Sequence, residues 1–275
     1  MDNIVYNLFL PSTFKHHSLT TTMSDEELLI RMLERAKTLL AQQFPPLRIH
    51  EKSAKELVTE TDLAIERALR VMIHTHRPQH AILGEEEGNT QGNEHLWIID
   101  PLDGTTNYVH SIPYFCSAIA LTTRRAPQLA GVTTLSHTFH ATTTQAYMDN
   151  RVLRTPQPPE IEQAFVAFCH KNTPKSIREI STRYEQFKTT TRDFRRLGSA
   201  NLELCMVASG ALHAFIGHDL PPWDFTAGCM IAQQAGCTVT ALDGGPWTRP
   251  GVTGVLAAHP ALHAQLLALW TQTRH

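Results

Sequence analysis

The stretch WIIDPLDGTTNY, Trp97 to Tyr108, decides how this chain is read. The residues Leu96, Trp97, Ile98 and Ile99 make the short apolar run of a fully buried strand, yet the run leads into Asp100 and Asp103. Pro101 biases Asp100 toward extended backbone and removes one amide donor, and Gly104 admits a left-handed conformation. The strand HLWIID is therefore expected to end at Asp100 and the chain to turn there, so that both carboxylates converge. The turn would free a backbone carbonyl, that of Leu102, and let the amides of Gly104, Thr105 and Thr106 face outward together, as at a phosphate-binding helix start. Two buried carboxylates repel, and leaving them unpaired costs several kcal/mol. The motif supplies no lysine or arginine between them. A hard divalent cation such as Mg2+, which takes carboxylate, carbonyl and water oxygens, meets the need. The plainer reading of the same residues is an acidic turn at a strand end.

Outward from this stretch, the periodicity is helical on the N-terminal side. Ser24 and Glu27 form a capping-box pattern, and Leu28, Leu29, Met32, Leu33, Ala36, Leu39 and Leu40 line one face as far as Phe44, before Pro45-Pro46. A second helix is predicted from near Thr61 to Pro78. The strands HAILG, HLWIID, YFCSAIALTT, QLAGVTTL and TTTQAYMD follow, mostly at hairpin spacing. After TPQPPE (155–160) come strand AFVAFC, a helix over 174–187, a helix over 200–209, strand ALHAFIG, a helix over Asp224–Gln234, strands CTVTAL and VLAAH, and a helix from Pro260. The pattern predicts an α/β fold in two packed halves, layered α-β-α-β-α: 23–155 with the acidic site and 156–275 with substrate-side residues. Residues 1–22 lack a basic n-region and a small-residue cleavage pattern and read as an extension rather than a leader.

Composition narrows the class. The chain has 275 residues, 42% hydrophobic and 18% charged, with a formal net charge of −2. That allows a large core and argues against direct nucleic-acid binding, which needs a strongly basic face. Arg124-Arg125 and Arg195-Arg196 read as solvated clusters. The five cysteines contain no CxxC and sit mainly in apolar runs, as buried reduced thiols in a cytoplasmic protein would. Sixteen histidines fall at no recognisable ligand spacing. No apolar run reaches the ~18 residues of a membrane span.

Three further stretches share the character of the first. Gly84-Glu85-Glu86-Glu87-Gly88 follows strand HAIL and reads either as a solvated loop or as part of a strand-end site. Asp224, in Pro222-Trp223-Asp224-Phe225, reads as a helix N-cap or as a ligand; Leu57-Val58-Thr59-Glu60-Thr61-Asp62 precedes a helix and reads first as its cap.

In this order and spacing, LVTETD, GEEEG, WIIDPLDGTTNYVHSIPYF and PPWDFTAG resemble the inositol monophosphatase family of magnesium-dependent, lithium-sensitive phosphatases, over residues 24 to 272. Thr106-Asn107 after DGT resembles the inositol-phosphatase branch. The resemblance implies two to three Mg2+ per site: Glu85, Asp100 and the Leu102 carbonyl around the first, Asp100, Asp103 and Asp224 around the second, and a weaker third near Glu85. It implies that Glu85 and Thr105, with Asp62 behind Thr105, position and deprotonate the attacking water. The Gly104 and Thr105 amides would cradle the phosphate, and Asp103, Ser199 and Ala200 would touch the substrate. Gly217 departs from the family, which carries an inositol-binding glutamate seven residues before the WD aspartate; Asp219 is the candidate substitute. Near Glu51-Lys52-Ser53, Lys52 resembles a family lysine close to the active site. The implied activity is hydrolysis of small polyol phosphates, inositol 1-phosphate first. Alternatives are fructose 1,6-bisphosphate, histidinol phosphate or an adenosine bisphosphate, or a regulatory protein-binding role as in some bacterial members. A homodimer is implied as well.

Overall fold

A computed structural model describes residues 23–42, 44, 49–53 and 56–272, with backbone only at 49–53, 56 and 57. The expected extension 1–22, the Pro45-Pro46 stop and the Lys52 side chain lie outside the described residues. The first half contains α1 (Asp25–Gln42), β1 (Ile49–Ser53), β2 (Glu56–Thr59), α2 (Glu60–His76), β3 (Ala81–Gly84), β4 (Asn89–Thr90), β5 (His95–Asp103), α3 (Thr105–Val109), β6 (Cys116–Thr123), β7 (Ala126–Thr133), β8 (Thr138–Ala141), β9 (Ala146–Met148) and β10 (Arg151–Leu153). The second half contains β11 (Phe165–His170), α4 (Pro174–Thr190), β12 (Asp193–Arg195), α5 (Ala200–Ser209), β13 (Ala214–His218), α6 (Thr226–Ala235), β14 (Thr238–Ala241), β15 (Val255–Ala258) and α7 (Pro260–Thr271).

Local chemistry starts the two N-terminal helices. At α1 the Glu27 amide donates to Ser24 Oγ (3.1 Å) while the Ser24 amide donates to Glu27 Oε2 (2.8 Å). At α2, Thr59 is the N-cap and Asp62 closes the reciprocal box, accepting from the Thr59 amide at 2.8 Å. The apolar faces of these helices then have a surface to cover. Sheet one runs β10-β9-β8-β7-β6-β5-β3-β4, antiparallel throughout except for β3 beside β5. Its strands put Ile82, Trp97, Ile99, Ile119 and Leu121 against Leu28, Leu33 and Leu69 of α1 and α2.

The opposite face carries Ile98, Cys116, Ala118 and Val132 and packs on α5 and α6. These two helices have apolar residues all round because the five-stranded sheet β12-β11-β13-β15-β14 covers their other side with Ala167, Phe215 and Ala257. Its outer face, Val166, Phe168, Ile216 and Leu256, is closed by Ile180 and Phe187 of α4 and Leu262, Leu266 and Trp270 of α7. The result is the α-β-α-β-α layering expected from the sequence. Among the described residues, no helix is long and apolar enough to cross a membrane.

Three boundaries differ from the expected ones: the strand expected over TTTQAYMD is confined to Ala146–Met148, after a turn that follows β8, and two others lie at the acidic site. The strand HLWIID does not stop at Asp100. β5 continues through Pro101 to Asp103, and pairing slips there: Asp100 faces Ala118 but Asp103 faces Cys116. A bulge of this kind absorbs an extra residue and re-aims side chains without ending the strand, and Pro101 is tolerated within it. The helix expected from Asp224 begins at Thr226. Asp224 ends a 3-10 turn, Pro222–Asp224, and Phe225 is the N-cap.

Candidate active site

The bulge places the acidic residues. Asp100 is 1% exposed and Asp103 9%. Gly104 follows with φ of 97° and begins the single turn of α3. A Cβ there would lie 3.1 Å from the Tyr114 carbonyl and 3.2 Å from that of Gly198, so the position needs glycine for both backbone angle and space. Thr105 Oγ1 stands 2.9 Å from the Leu102 carbonyl and 3.4 Å from Asp62 Oδ1. The other Asp62 oxygen is held by Thr59, whose amide and hydroxyl both donate to it. Helix capping by Asp62 and its contact with Thr105 therefore coexist in one carboxylate.

Asp103 is tied across the molecule. Its Oδ1 accepts from the Ala200 amide (3.1 Å), its Oδ2 from the Asn201 amide (2.6 Å), and its carbonyl from the Ser199 hydroxyl (3.1 Å). Ser199 is the N-cap residue of α5, but its hydroxyl serves Asp103 rather than the helix. The start of α5 is thus capped by a carboxylate from the other half of the chain, favourable with a helix dipole. Burial raises the Asp103 carboxyl to about 6 despite these donors.

Asp100 and Asp224 are held well above the ordinary carboxylate range. For Asp100 the causes are burial, then the charges of Glu85, Asp103, Asp224 and Asp62; for Asp224 they are burial, then Asp103 and Glu85, with Lys171 opposing. Residues from positions 62, 85, 100, 103 and 224 of the chain therefore share one electrostatic neighbourhood. The remaining candidate is placed differently. Asp219 has φ of 58° and accepts from Ser176 Oγ at 2.6 Å, at the start of α4.

The donor set suits Mg2+ in kind: hard carboxylate oxygens whose mutual repulsion a divalent cation would relieve. Among the described residues, no group of three or more His, Cys, Asp or Glu side chains is arranged to hold a metal ion. The carboxylates are instead engaged by backbone amides. Both oxygens of Asp103 face α5 amides, and Asp100 Oδ1 accepts from the Leu102 amide at 3.1 Å.

Three residues have supporting roles that the sequence reading did not assign, although Asn107 was noted there as a branch marker. Glu66, buried on α2, accepts from the amides of Glu86 (2.8 Å) and Glu87 (3.0 Å) and from Arg70 Nε (2.9 Å), fixing the loop that carries Glu85. Its signal was available: Glu66 stands four residues after Asp62, on the same helix face, and four before Arg70. Asn201 joins β5, α5 and the Trp223-Asp224 turn: beyond its amide bond to Asp103, its Nδ2 donates to the Trp223 carbonyl (2.9 Å) and its Oδ1 accepts from the Gly228 amide (3.0 Å). Asn107 Nδ2 bridges the carbonyls of Tyr114 (2.8 Å) and Leu197 (2.9 Å), clamping α3 to the segment before Ser199. Neither asparagine carries a local sequence signal, because each acts on backbone distant in the chain.

Comparison with known proteins places this arrangement. The model of the inositol monophosphatase family matches residues 24–274. Nus factor SuhB of Pseudomonas aeruginosa is 32% identical over 82% of this chain and 84% of its own. Fructose-1,6-bisphosphatase/inositol-1-monophosphatase of Aquifex aeolicus is 32% identical over 80% of this chain and 83% of its own. The inositol monophosphatase from Anabaena superposes with a TM-score of 0.79 at 29% identity, covering 90% of this chain and 95% of that one.

Proposed function

The chain belongs to the inositol monophosphatase family, and from that premise we propose a Mg2+-dependent phosphomonoesterase for small polyol phosphates, with myo-inositol 1-phosphate the first candidate. It is a phosphatase of this family; the substrate and the metal stoichiometry are the proposed part. The observation that carries the reading is the raised Asp100 carboxyl, with Glu85, Asp103, Asp224 and Asp62 all acting on it.

In this reading Glu85, Asp100, Asp103, Asp224 and the Leu102 carbonyl would hold two ions, with a third near Glu85. Bound there, Mg2+ supplies Lewis acidity for an in-line displacement at phosphorus. The chain's own residues supply positioning. The Thr105 hydroxyl, set between the Leu102 carbonyl and Asp62, orients the attacking water and passes its proton toward Asp62. The leading amides of α3, at Thr105 and beside it, have no partner within the helix and face the phosphoryl oxygens. Ser199 and Ala200 act first on Asp103, and through it on the substrate.

Gly217 shapes specificity. It pairs within β13 opposite Val255, and a Cβ there would lie 2.7 Å from Leu220 Cδ1 and 3.1 Å from Phe215. A side chain at this position would enter apolar packing, so polyol hydroxyls must be bound by other groups. This keeps fructose 1,6-bisphosphate, histidinol phosphate and an adenosine bisphosphate as alternative substrates, and the Aquifex relative's double name favours the first of them. Asp219 enters this reading only if its bond to Ser176 opens. The likeness to Nus factor SuhB supports a second reading, a protein-binding regulatory role. A homodimer belongs to the first reading through the family likeness and is checked by light scattering.

The test is phosphate release from these four substrates with Mg2+ and with EDTA. Metal-dependent turnover of inositol 1-phosphate above the rest supports the proposal. Turnover of one rival alone transfers the assignment to it, and no turnover of any overturns the enzymatic reading.

A further inference from the structure

A second concavity, separate from the acidic site, lies behind it. Its volume is about 490 Å³, and its lining includes none of Asp62, Glu85, Asp100, Asp103 or Asp224. The floor is apolar: Leu83 of β3, Ile98 of β5, Phe225, Trp247 and Val252. Ile98, Phe225 and Trp247 are 7%, 4% and 6% exposed. The indole N–H of Trp247 is satisfied by Gln233 Oε1 at 3.1 Å.

The mouth is cationic. Arg124 and Arg125 form the left-handed turn between β6 and β7, with φ of 50° and 72°, and Arg249 faces them from the loop after β14. Glu94, the one acid in the lining, is bonded to Arg124 at 2.6 Å, and Arg249 pairs with Asp243. Arg125 has no ion pair or side-chain hydrogen bond among the described residues. Glu94 offsets Arg124 and Asp243 offsets Arg249, so Arg125 leaves the mouth one uncompensated positive charge over the apolar floor.

Small-molecule sites have this volume and this combination of an apolar floor with polar groups around it. Water fills such a floor poorly, having few partners there. We propose that this cavity binds a small amphipathic anion: a flat apolar body seated on Trp247 and Phe225, with a single anionic group at Arg125. Its walls adjoin the acidic site, since Leu83 precedes the Gly84-Glu85 loop and Phe225 follows Asp224.

The test titrates the full chain with the fluorescent probe anilinonaphthalene sulfonate and with its uncharged analogue N-phenylnaphthylamine. The expected result is one saturable, blue-shifted site for the sulfonate. Its affinity should fall by about tenfold or more in Arg125→Glu and for the uncharged analogue. Gln91→Trp, at an exposed lining position, should abolish it, while Arg178→Glu on α4, with the same change in net charge, should leave it intact. No saturable site, unchanged affinity in both cavity variants, equal binding of the uncharged analogue, or loss of the site as the chain self-associates would each overturn the proposal, the last by placing a second copy there.

Discussion

The buried carboxylate of Glu66 accepts the backbone amide of Glu86 at 2.8 Å, anchoring the loop after β3 to the middle of α2. Arg70 completes the anchor, bonding Glu66 and the Gly88 carbonyl, and Gly84 leaves the space: a Cβ there would lie 2.1 Å from Glu66 Oε1. Glu85 therefore owes its position to a residue that never meets substrate. Glu66→Gln turns one acceptor into a donor facing amides and Arg70. The expected loss is about 2–4 kcal/mol in urea unfolding, with a higher Mg2+ concentration at half-maximal activity. Unchanged stability and unchanged Mg2+ dependence together would remove Glu66 from this role.

Asn201 makes an analogous link for Asp224. Asn201→Ala keeps the amide bond to Asp103 but deletes the bond to the Trp223 carbonyl and leaves the buried Gly228 amide unsatisfied. The expected cost is about 2 kcal/mol. A residue that only packs would lower stability alone; one that orients Asp224 should also raise the Mg2+ requirement by about tenfold. Activity across a Mg2+ series, measured well below the melting temperature, separates the two.

Asp100 predicts a conflict between stability and function. Burial and four neighbouring carboxylates raise its proton affinity, so at pH 8 the metal-free fold bears a cost at this position that the unfolded chain does not. Asp100→Asn keeps an acceptor for the Leu102 amide and removes that cost. The metal-free variant should unfold at a higher temperature than the parent at pH 8, by about 1 kcal/mol or more. Mg2+ should raise the melting temperature of the parent and much less that of the variant. Phosphatase activity should fall by at least about a hundredfold. A cellular role that survives this variant would rest on binding rather than hydrolysis.

What the sequence made legible divides along physical lines. Helix faces, buried strands and the order of layers follow from periodicity, because burial is a repeating local demand: α1, α2, β5, β6 and α5 stand where the pattern put them. The site's members were legible because carboxylates at strand ends conflict with burial. The continuation of β5 through Pro101 was not, since a bulge depends on pairing with β6. β1, β2 and α3 are too short for a period to emerge. The bonding roles of Asn107 and Asn201 were hidden for a related reason: each satisfies backbone groups brought near by the fold, whereas Glu66 did carry a signal in its spacing to Asp62 and Arg70.

Glu203 supplies a pH dependence with a definite sign. It is buried beneath the segment before α5, and its Oε1 accepts from the amides of Leu197 (2.9 Å) and Gly198 (2.8 Å), while Oε2 has no partner. Burial raises its carboxyl from the ordinary 4.5 to about 8, with Asp103 adding to the rise. A raised carboxyl stays protonated in the fold while the unfolded chain has already lost the proton. Its contribution to stability is therefore complete below about pH 4.5, declines as pH rises, and is gone above about pH 8. The slope in that window is at most ~1.4 kcal/mol per pH unit. Glu203→Gln keeps an acceptor for both amides and removes the titration. Several buried histidines, His80 and His140 among them, have lowered proton affinity and tilt both proteins the other way as pH falls, so the quantity to measure is the difference between variant and parent. Urea unfolding at pH 5, 6.5 and 8 should show the variant gaining on the parent as pH rises. A difference constant across that range would mean that Glu203 is ionised in the fold throughout.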